Sequence, residues 1–365
     1  MFNPQNSSIL VWSLFLAVLF LLNRNRRQII ALMPHLSVFA YLGINVLSTA
    51  FASDRARAAG FTIKLALALI GGYMLLGSAI FSRKSLRLIY ALATAAMIIS
   101  LSACLTERFW FGWDKFGFHV NAYKYGTYIG ILTPLCCAYL FTSSKNWKNA
   151  LGMILVFAAI ISSGSFGAIA AIFAGVLTTA VIVPRWSVRT AILAAVIFGA
   201  GFLSLSNMNQ FLPVSDDIRI AEKDGTNLKQ RYIEWQAEIN LLENRTITGT
   251  AAGCINEYRS NFYYRLPKLN TLKPFDQNGW LAAGAETGIF GLVCFCWVVL
   301  HYGKTAFLKV IDSDDRFAAA NFAGLSAACA ANLFSSVQYN GIVIIFALLL
   351  ALISGTNRLS EENLR

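Results

Sequence analysis

The sequence predicts an all-α polytopic membrane protein of about 11–12 transmembrane helices, with one long non-cytoplasmic loop that contains an amphipathic helix. Two observations predict it. Of 365 residues, 57% are hydrophobic and only 13% charged, with a mean hydropathy of +0.58. A soluble domain carries roughly a quarter charged residues. The apolar residues are also gathered into runs bounded by charges or turn residues, and a crossing needs about 20 residues. The same figures exclude a disordered chain, a collagen and a secreted disulfide scaffold.

Taken in order, eleven apolar runs cover 7–22, 29–50, 61–81, 88–105, 126–141, 150–163, 166–183, 190–206, 280–301, 317–336 and 339–354. The first has no basic segment before it and no small-residue cleavage site after it, so it is a span and not a cleaved signal. Basic clusters fall on alternate connections: Arg24, Arg26 and Arg27; Arg83, Lys84 and Arg87; Lys145 and Lys148; Arg185 and Arg189; Lys304, Lys309 and Arg316. Arg55 and Arg57 are the exception. The positive-inside rule then puts the C-terminus in the cytoplasm and, on eleven spans, the N-terminus outside. Residues 1–206 form an N-terminal bundle of about eight spans, 207–279 the long loop, and 280–365 about three further spans with a cytoplasmic tail. The net charge of +12 is largely this topological signal and not a nucleic-acid footprint. Six of the seven cysteines lie inside apolar runs, and the thiols of Cys294 and Cys296 diverge by about 200° on a helix. They are small packing residues, with neither a disulfide framework nor a zinc site.

Two non-cytoplasmic segments are too long to be simple turns. Residues 106–125, TERFWFGWDKFGFHVNAYKY, are dense in aromatics. They form either an interfacial belt or the wall of an outer cavity faced by Lys115, His119 and Asn121. Residues 207–279 carry nine basic and nine acidic side chains, so the loop is not a polybasic tether. Within it Leu228, Tyr232, Trp235, Ile239 and Leu242 recur as one stripe of an amphipathic helix, with Gly249 beyond its end. Arg231 flanks the stripe. It either pairs with Glu234 or stacks on Trp235, or it holds a phosphate through its planar fork. The loop closes on FDQNGWLAAGAETGIFGL at 275–292. There Glu286 sits about two turns into an apolar helix, where an ionised carboxylate is costly and usually faces a cavity or a partner. Gly284, Gly288 and Gly291 mark either that cavity or close helix packing.

These residues resemble a family. Arg-x-x-x-Trp at 231–235, an Asn-rich turn with Gly at 244–253, Gln-Asn-x-Trp-Leu at 277–281 and Glu-x-Gly-x-x-Gly at 286–291 are similar to the O-antigen ligase and O-antigen polymerase superfamily. These are integral-membrane glycosyltransferases of bacterial surface polysaccharide assembly. The run Gly117-Phe118-x-x-Asn121 and the run SGSFGA at 163–168 add to the likeness. It covers the whole chain in topology and is sharp over 231–292. Gln277 stands where the family usually has the His regarded as its catalytic base, and Phe166 where it usually has an Arg.

The resemblance implies an undecaprenyl-pyrophosphate-linked oligosaccharide or polysaccharide as donor, and a glycan or lipid A-core as acceptor. It implies a periplasmic active face on the inner membrane and an inverting transfer that uses no metal and no cofactor. Arg231 becomes the diphosphate cation, backed by Lys115, Arg259 and Arg265, with Asn121, Gln277 and Asn278 as further substrate contacts. Glu286, His119 and Asp276 become candidates for the base, since Gln277 cannot take a proton. The missing His favours a polymerase over a ligase. The rivals are a catalytically inactive relative that only binds lipid-linked glycan, and a membrane transporter.

Overall fold

The computed structural model describes residues 33–80, 82–111, 122–142, 146–163, 166–182, 228–255, 258, 278–312, 315–334, 336 and 342–362. In chain order the helices are α1 (Leu36–Thr49), α2 (Arg55–Ala66), α3 (Gly72–Ala79), α4 (Arg83–Phe111), α5 (Ala122–Phe141), α6 (Asn146–Ser163), α7 (Phe166–Ile182), α8 (Leu228–Asn244), α9 (Gly279–Asp312), α10 (Arg316–Ala331) and α11 (Ile342–Glu362). A π-helical turn, Leu67–Gly71, joins α2 to α3 without a break in the rod. Every expected span apart from 7–22 and 190–206 overlaps a described helix, and those two lie outside the described residues. Among the described residues, four segments are long and apolar enough to cross a membrane: Arg55–Ser78, Arg83–Thr106, Gly279–Asp312 and Ile342–Leu359. The protein is an all-α polytopic membrane protein.

Short polar side chains start the helices by accepting the N–H groups that a first turn leaves unpaired. Asp54 caps α2 through the Arg57 N–H at 3.0 Å, and Asp315 caps α10 through the Phe317 N–H at 3.0 Å. Asn278 caps α9 through the N–H groups of Trp280 and Leu281, at 3.0 and 3.2 Å.

The core gathers around α10, which packs against α5, α7, α9 and α11. Its buried face is mostly alanine: Ala318, Ala319, Ala320, Ala323, Ala327, Ala328 and Ala331. In lipid there is little hydrophobic drive between helices, so close approach of small residues supplies the packing energy. A methyl on Gly130 of α5 would sit 3.0 Å from Ala171 of α7, and one on Gly175 of α7 would collide with the ring of Pro134 in α5. The N-terminal helices and α9–α11 therefore share a single core.

The two ends of the bundle differ. One gathers Arg83, Lys84 and Arg87 of α4, Lys148 of α6, Lys304 and Lys309 of α9, and Arg316 of α10. There the Arg83 guanidinium stands 3.8 Å from the Asp315 carboxylate, and Arg316 lies 5.0 Å over the Tyr139 ring. At the opposite end lie the N-terminus of α2, with the exceptional Arg55 and Arg57, together with α8, the start of α9 and the turn between them. The helix directions thus put the described members of the expected clusters on one side; Arg24, Arg26, Arg27, Lys145, Arg185 and Arg189 lie outside the described residues.

The expected boundaries need two changes. The run 317–336 stops helical structure at Ala331, and Asn332 to Phe334 turn back over the end of the bundle. The run 280–301 extends to Asp312 and is broken at Gly288, which takes φ 73° and ψ −176°.

Candidate functional site at the break in α9

The broken helix supplies the geometry of the site. A non-helical residue inside α9 strips neighbouring peptide groups of their i−4 partners, and at membrane depth each orphan costs several kcal/mol. The turn that follows α8 replaces those partners. Thr250 N–H donates to the carbonyl of Ala285 at 2.9 Å, and Ala251 N–H to the carbonyl of Glu286 at 2.8 Å. In return, the N–H of Ile289 donates to the carbonyl of Thr246 at 2.7 Å. The turn takes over the ladder where α9 abandons it.

Such contact between two backbones leaves no room for a Cβ. One on Gly249 would overlap the carbonyl of Glu286, and one on Gly288 would overlap the carbonyl of Ile247. Both glycines have positive φ, 62° and 73°, which glycine alone adopts without strain. The run Thr248-Gly249-Thr250-Ala251-Ala252-Gly253-Cys254 is small at every position for this reason.

Glu286 lies inside this junction. Its side chain is 1% exposed, and Oε1 accepts the Gly253 N–H at 3.0 Å. Gly253 (φ 77°) is wedged on its other side against Phe61 of α2, whose Cβ would lie 3.0 Å from any added methyl. Cys254 is fully buried with Ala58 and Ala251. Its thiol points to the carbonyl of Asp54 at 3.8 Å. The turn thus ties the start of α2 to the break in α9.

Helix α8 lies over the first part of α9. Leu242 approaches Gly284 to within 3.2 Å of where a methyl would stand, and Leu241 packs with Ile255 and Ala285. Trp235 contacts Phe334 at 5.9 Å between ring centroids, and the Phe334 Cβ lies 2.9 Å from a Cβ placed on Gly167 of α7. Beyond α8, Arg245 stacks over Tyr258 at 4.4 Å. The start of α9 is pinned to the end of α10: Gly279 N–H donates to the Asn332 carbonyl at 2.7 Å, and Trp280 Nε1 to the Cys329 carbonyl at 3.3 Å.

Among the described side chains of α8, the buried ones are not those of the expected stripe, whose Leu228 and Tyr232 side chains lie outside those described. Ala237, Glu238 and Leu241 are buried, whereas Ile239 is 41% exposed and Trp235 and Leu242 lie at the margin. The described part of the face is turned by about one residue: Leu241 packs with Ala285, and Leu242 reaches Gly284 from its edge.

Of the expected site residues, the structure brings Glu286 and Asn278 onto the same helix, with Arg231 on α8. Asn278 is buried, and its Oδ1 is engaged in capping. Lys115, His119, Asn121, Arg259, Arg265, Asp276 and Gln277 lie outside the described residues. Sequence reasoning missed Thr250, Ala251 and Gly253, which hold the break, and buried Glu238. Paired glycines in a run of small residues at 248–254 were the available signal. Among the described residues no three His, Cys, Asp or Glu side chains converge as a metal site.

None of the curated proteins matches the chain. Residues 151–296, from α6 through the break to Cys296 in α9, match the family model Wzy_C, O-Antigen ligase. The match supports the resemblance to the O-antigen ligase and polymerase superfamily, whose members are membrane-bound, glycosyltransferase-like enzymes with lipid-linked glycan and acceptor as their general substrates.

Proposed function

We propose that the protein joins a glycan carried on undecaprenyl pyrophosphate to an acceptor hydroxyl at the periplasmic face of the bacterial inner membrane. It does so in O-antigen or exopolysaccharide assembly, polymerase-like and not ligase-like. The observation that carries this reading is the match over 151–296, of which α8 and the turn after it lie at the end of the bundle opposite the described basic residues. With the basic end cytoplasmic by the positive-inside rule, α8 and the break in α9 face the periplasm.

The acceptor oxygen attacks the anomeric carbon and the bond from that carbon to the pyrophosphate oxygen breaks. Its electron pair departs with undecaprenyl pyrophosphate, and the configuration inverts. Two things lower the barrier: cations on the leaving pyrophosphate and a group that takes the acceptor's proton. Arg231 supplies the bidentate cation, with Lys115, Arg259 and Arg265 behind it. His119 or Asp276 takes the proton. Gln277, unable to do so, hydrogen-bonds the acceptor with Asn121, and Asn278 fixes the start of the helix beside it. No metal enters this scheme.

The test is the lipid-linked glycan pool in a deletion strain of the native host. Single undecaprenyl-linked units accumulate, wild type clears them, and Arg231→Ala slows clearance by about 10²–10³-fold. Finished chains in place of single units would make the protein a ligase. An unchanged pool would make it an inactive relative or a transporter, and Gln277 would then mark lost catalysis.

A further inference from the structure

Glu286 is one of two acids, with Glu238, that are buried among the described residues of the family-matched segment, and its surroundings are those of a clamp. Three N–H groups of one turn converge on two consecutive residues of α9: Thr250 on the carbonyl of Ala285, Ala251 on the carbonyl of Glu286, and Gly253 on the Glu286 side chain, at 2.9, 2.8 and 3.0 Å. The first two are main-chain bonds that any residue at 286 would keep. The third depends on the side chain, and it carries the hold past Ala251, which packs with Ala58 of α2, to Gly253. Gly253 presses on Phe61, and Cys254 on Ala58 and the carbonyl of Asp54.

The carboxylate is also badly placed for proton transfer. It is 1% exposed, and a general base must come within hydrogen-bond reach of the proton that it abstracts. A buried carboxylate that accepts a backbone N–H instead does what any side-chain carbonyl oxygen of the same length can do.

We propose that Glu286 is a positioning residue of the transferase, not its base. Its Oε1 holds Gly253, so that the turn 245–254 stays clamped between α2 and the break in α9. The clamp fixes α8, whose C-terminal end runs directly into the turn, and so sets where Arg231 stands. What the site requires at 286 is an acceptor oxygen at the end of a two-methylene arm; a titrating proton plays no part. This inference rests on the proposed transferase reading for its effect on turnover, but not for its effect on the turn.

The experiment therefore has two readouts. Amide exchange across 245–255 is followed on the purified full chain in detergent, and the undecaprenyl-linked pool is followed in the complemented deletion strain. Glu286→Ala is expected to speed exchange at Gly253 and its neighbours by at least about tenfold and to leave the pool uncleared. Glu286→Gln keeps the acceptor and restores both to within about twofold of wild type. If Glu286→Ala fails to accumulate, Glu286→Met takes its place, because it fills the same volume without an acceptor. Glu286→Gln as inactive as Glu286→Ala, with the turn still protected, would make the carboxylate the base and overturn the proposal. So would a Glu286→Gln protein that does not fold, or a Glu286→Ala protein with an unchanged turn. Should the pool be insensitive even to deletion, the transferase reading fails while the exchange data still decide the clamp.

Discussion

Two buried polar clusters hold this bundle, one at each end, and they are built on opposite principles. At the basic end Tyr90 of α4 donates to Oδ1 of Asn321 in α10 at 2.5 Å, and Asn321 Nδ2 donates to Oγ1 of Thr356 in α11 at 3.0 Å. All three side chains project from unbroken helices whose backbone ladders are complete. At the other end the bonds run from a turn to a broken helix, mainly through the main chain, and three glycines have positive φ. The first cluster is glue added to regular structure. The second exists because regular structure was given up, and in a membrane that happens where irregular backbone is buried in protein or lines a cavity. Strained or broken backbone concentrates at functional sites, and here it falls within the family-matched segment.

Substitutions at the two ends sharpen this contrast. The largest effect is expected from Gly288→Ala or Gly249→Ala, since the new methyl meets main-chain atoms that cannot yield and the φ is unfavourable besides. A loss of at least about 3 kcal/mol follows, read as disappearance of the monodisperse peak in detergent chromatography. Survival of either variant with normal melting would show that the break tolerates side chains, and the contrast would collapse. Asn321→Ala strips partners from Tyr90 and Thr356 and is expected to cost about 0.6–2 kcal/mol. It lowers the melting temperature while clearance of the lipid-linked pool per folded molecule stays normal. Reduced clearance would tie the basic end to the chemistry. The smallest effect is Arg83→Ala: its side chain is 53% exposed and 3.8 Å from Asp315, so the loss is below about 1 kcal/mol and fades with salt.

Much of the fold was legible because lipid imposes a one-dimensional rule: a helix that crosses must be apolar over its length. The expected run at 88–105 lies within α4, and the run at 166–183 coincides almost residue for residue with α7. Arg83, Lys148 and Arg316 fall on one side for the same reason. The site was legible only in outline. Glu286 stands out as an acid in an apolar run, but its sequence neighbours do not reveal that its oxygen meets Gly253, thirty-three residues earlier. The stripe on α8 misled because periodicity ranks residues by hydrophobicity. On the surface of α9 it is Leu241 that packs with Ala285 and Leu242 that reaches Gly284, while Ile239 is 41% exposed.

By itself the sequence determined the membrane class, the order and approximate limits of most helices, the amphipathic character of α8 and the loop-closing motif. Each of these depends on residues near one another in the chain: apolar runs, caps and short spacings. Only the tertiary structure decided that α9 breaks at Gly288, that the turn at 245–254 satisfies the break, and that Cys254 and Glu286 are buried in the resulting junction. A peptide group stripped of its helical partner must find another wherever the fold brings one, and that partner lies far along the chain.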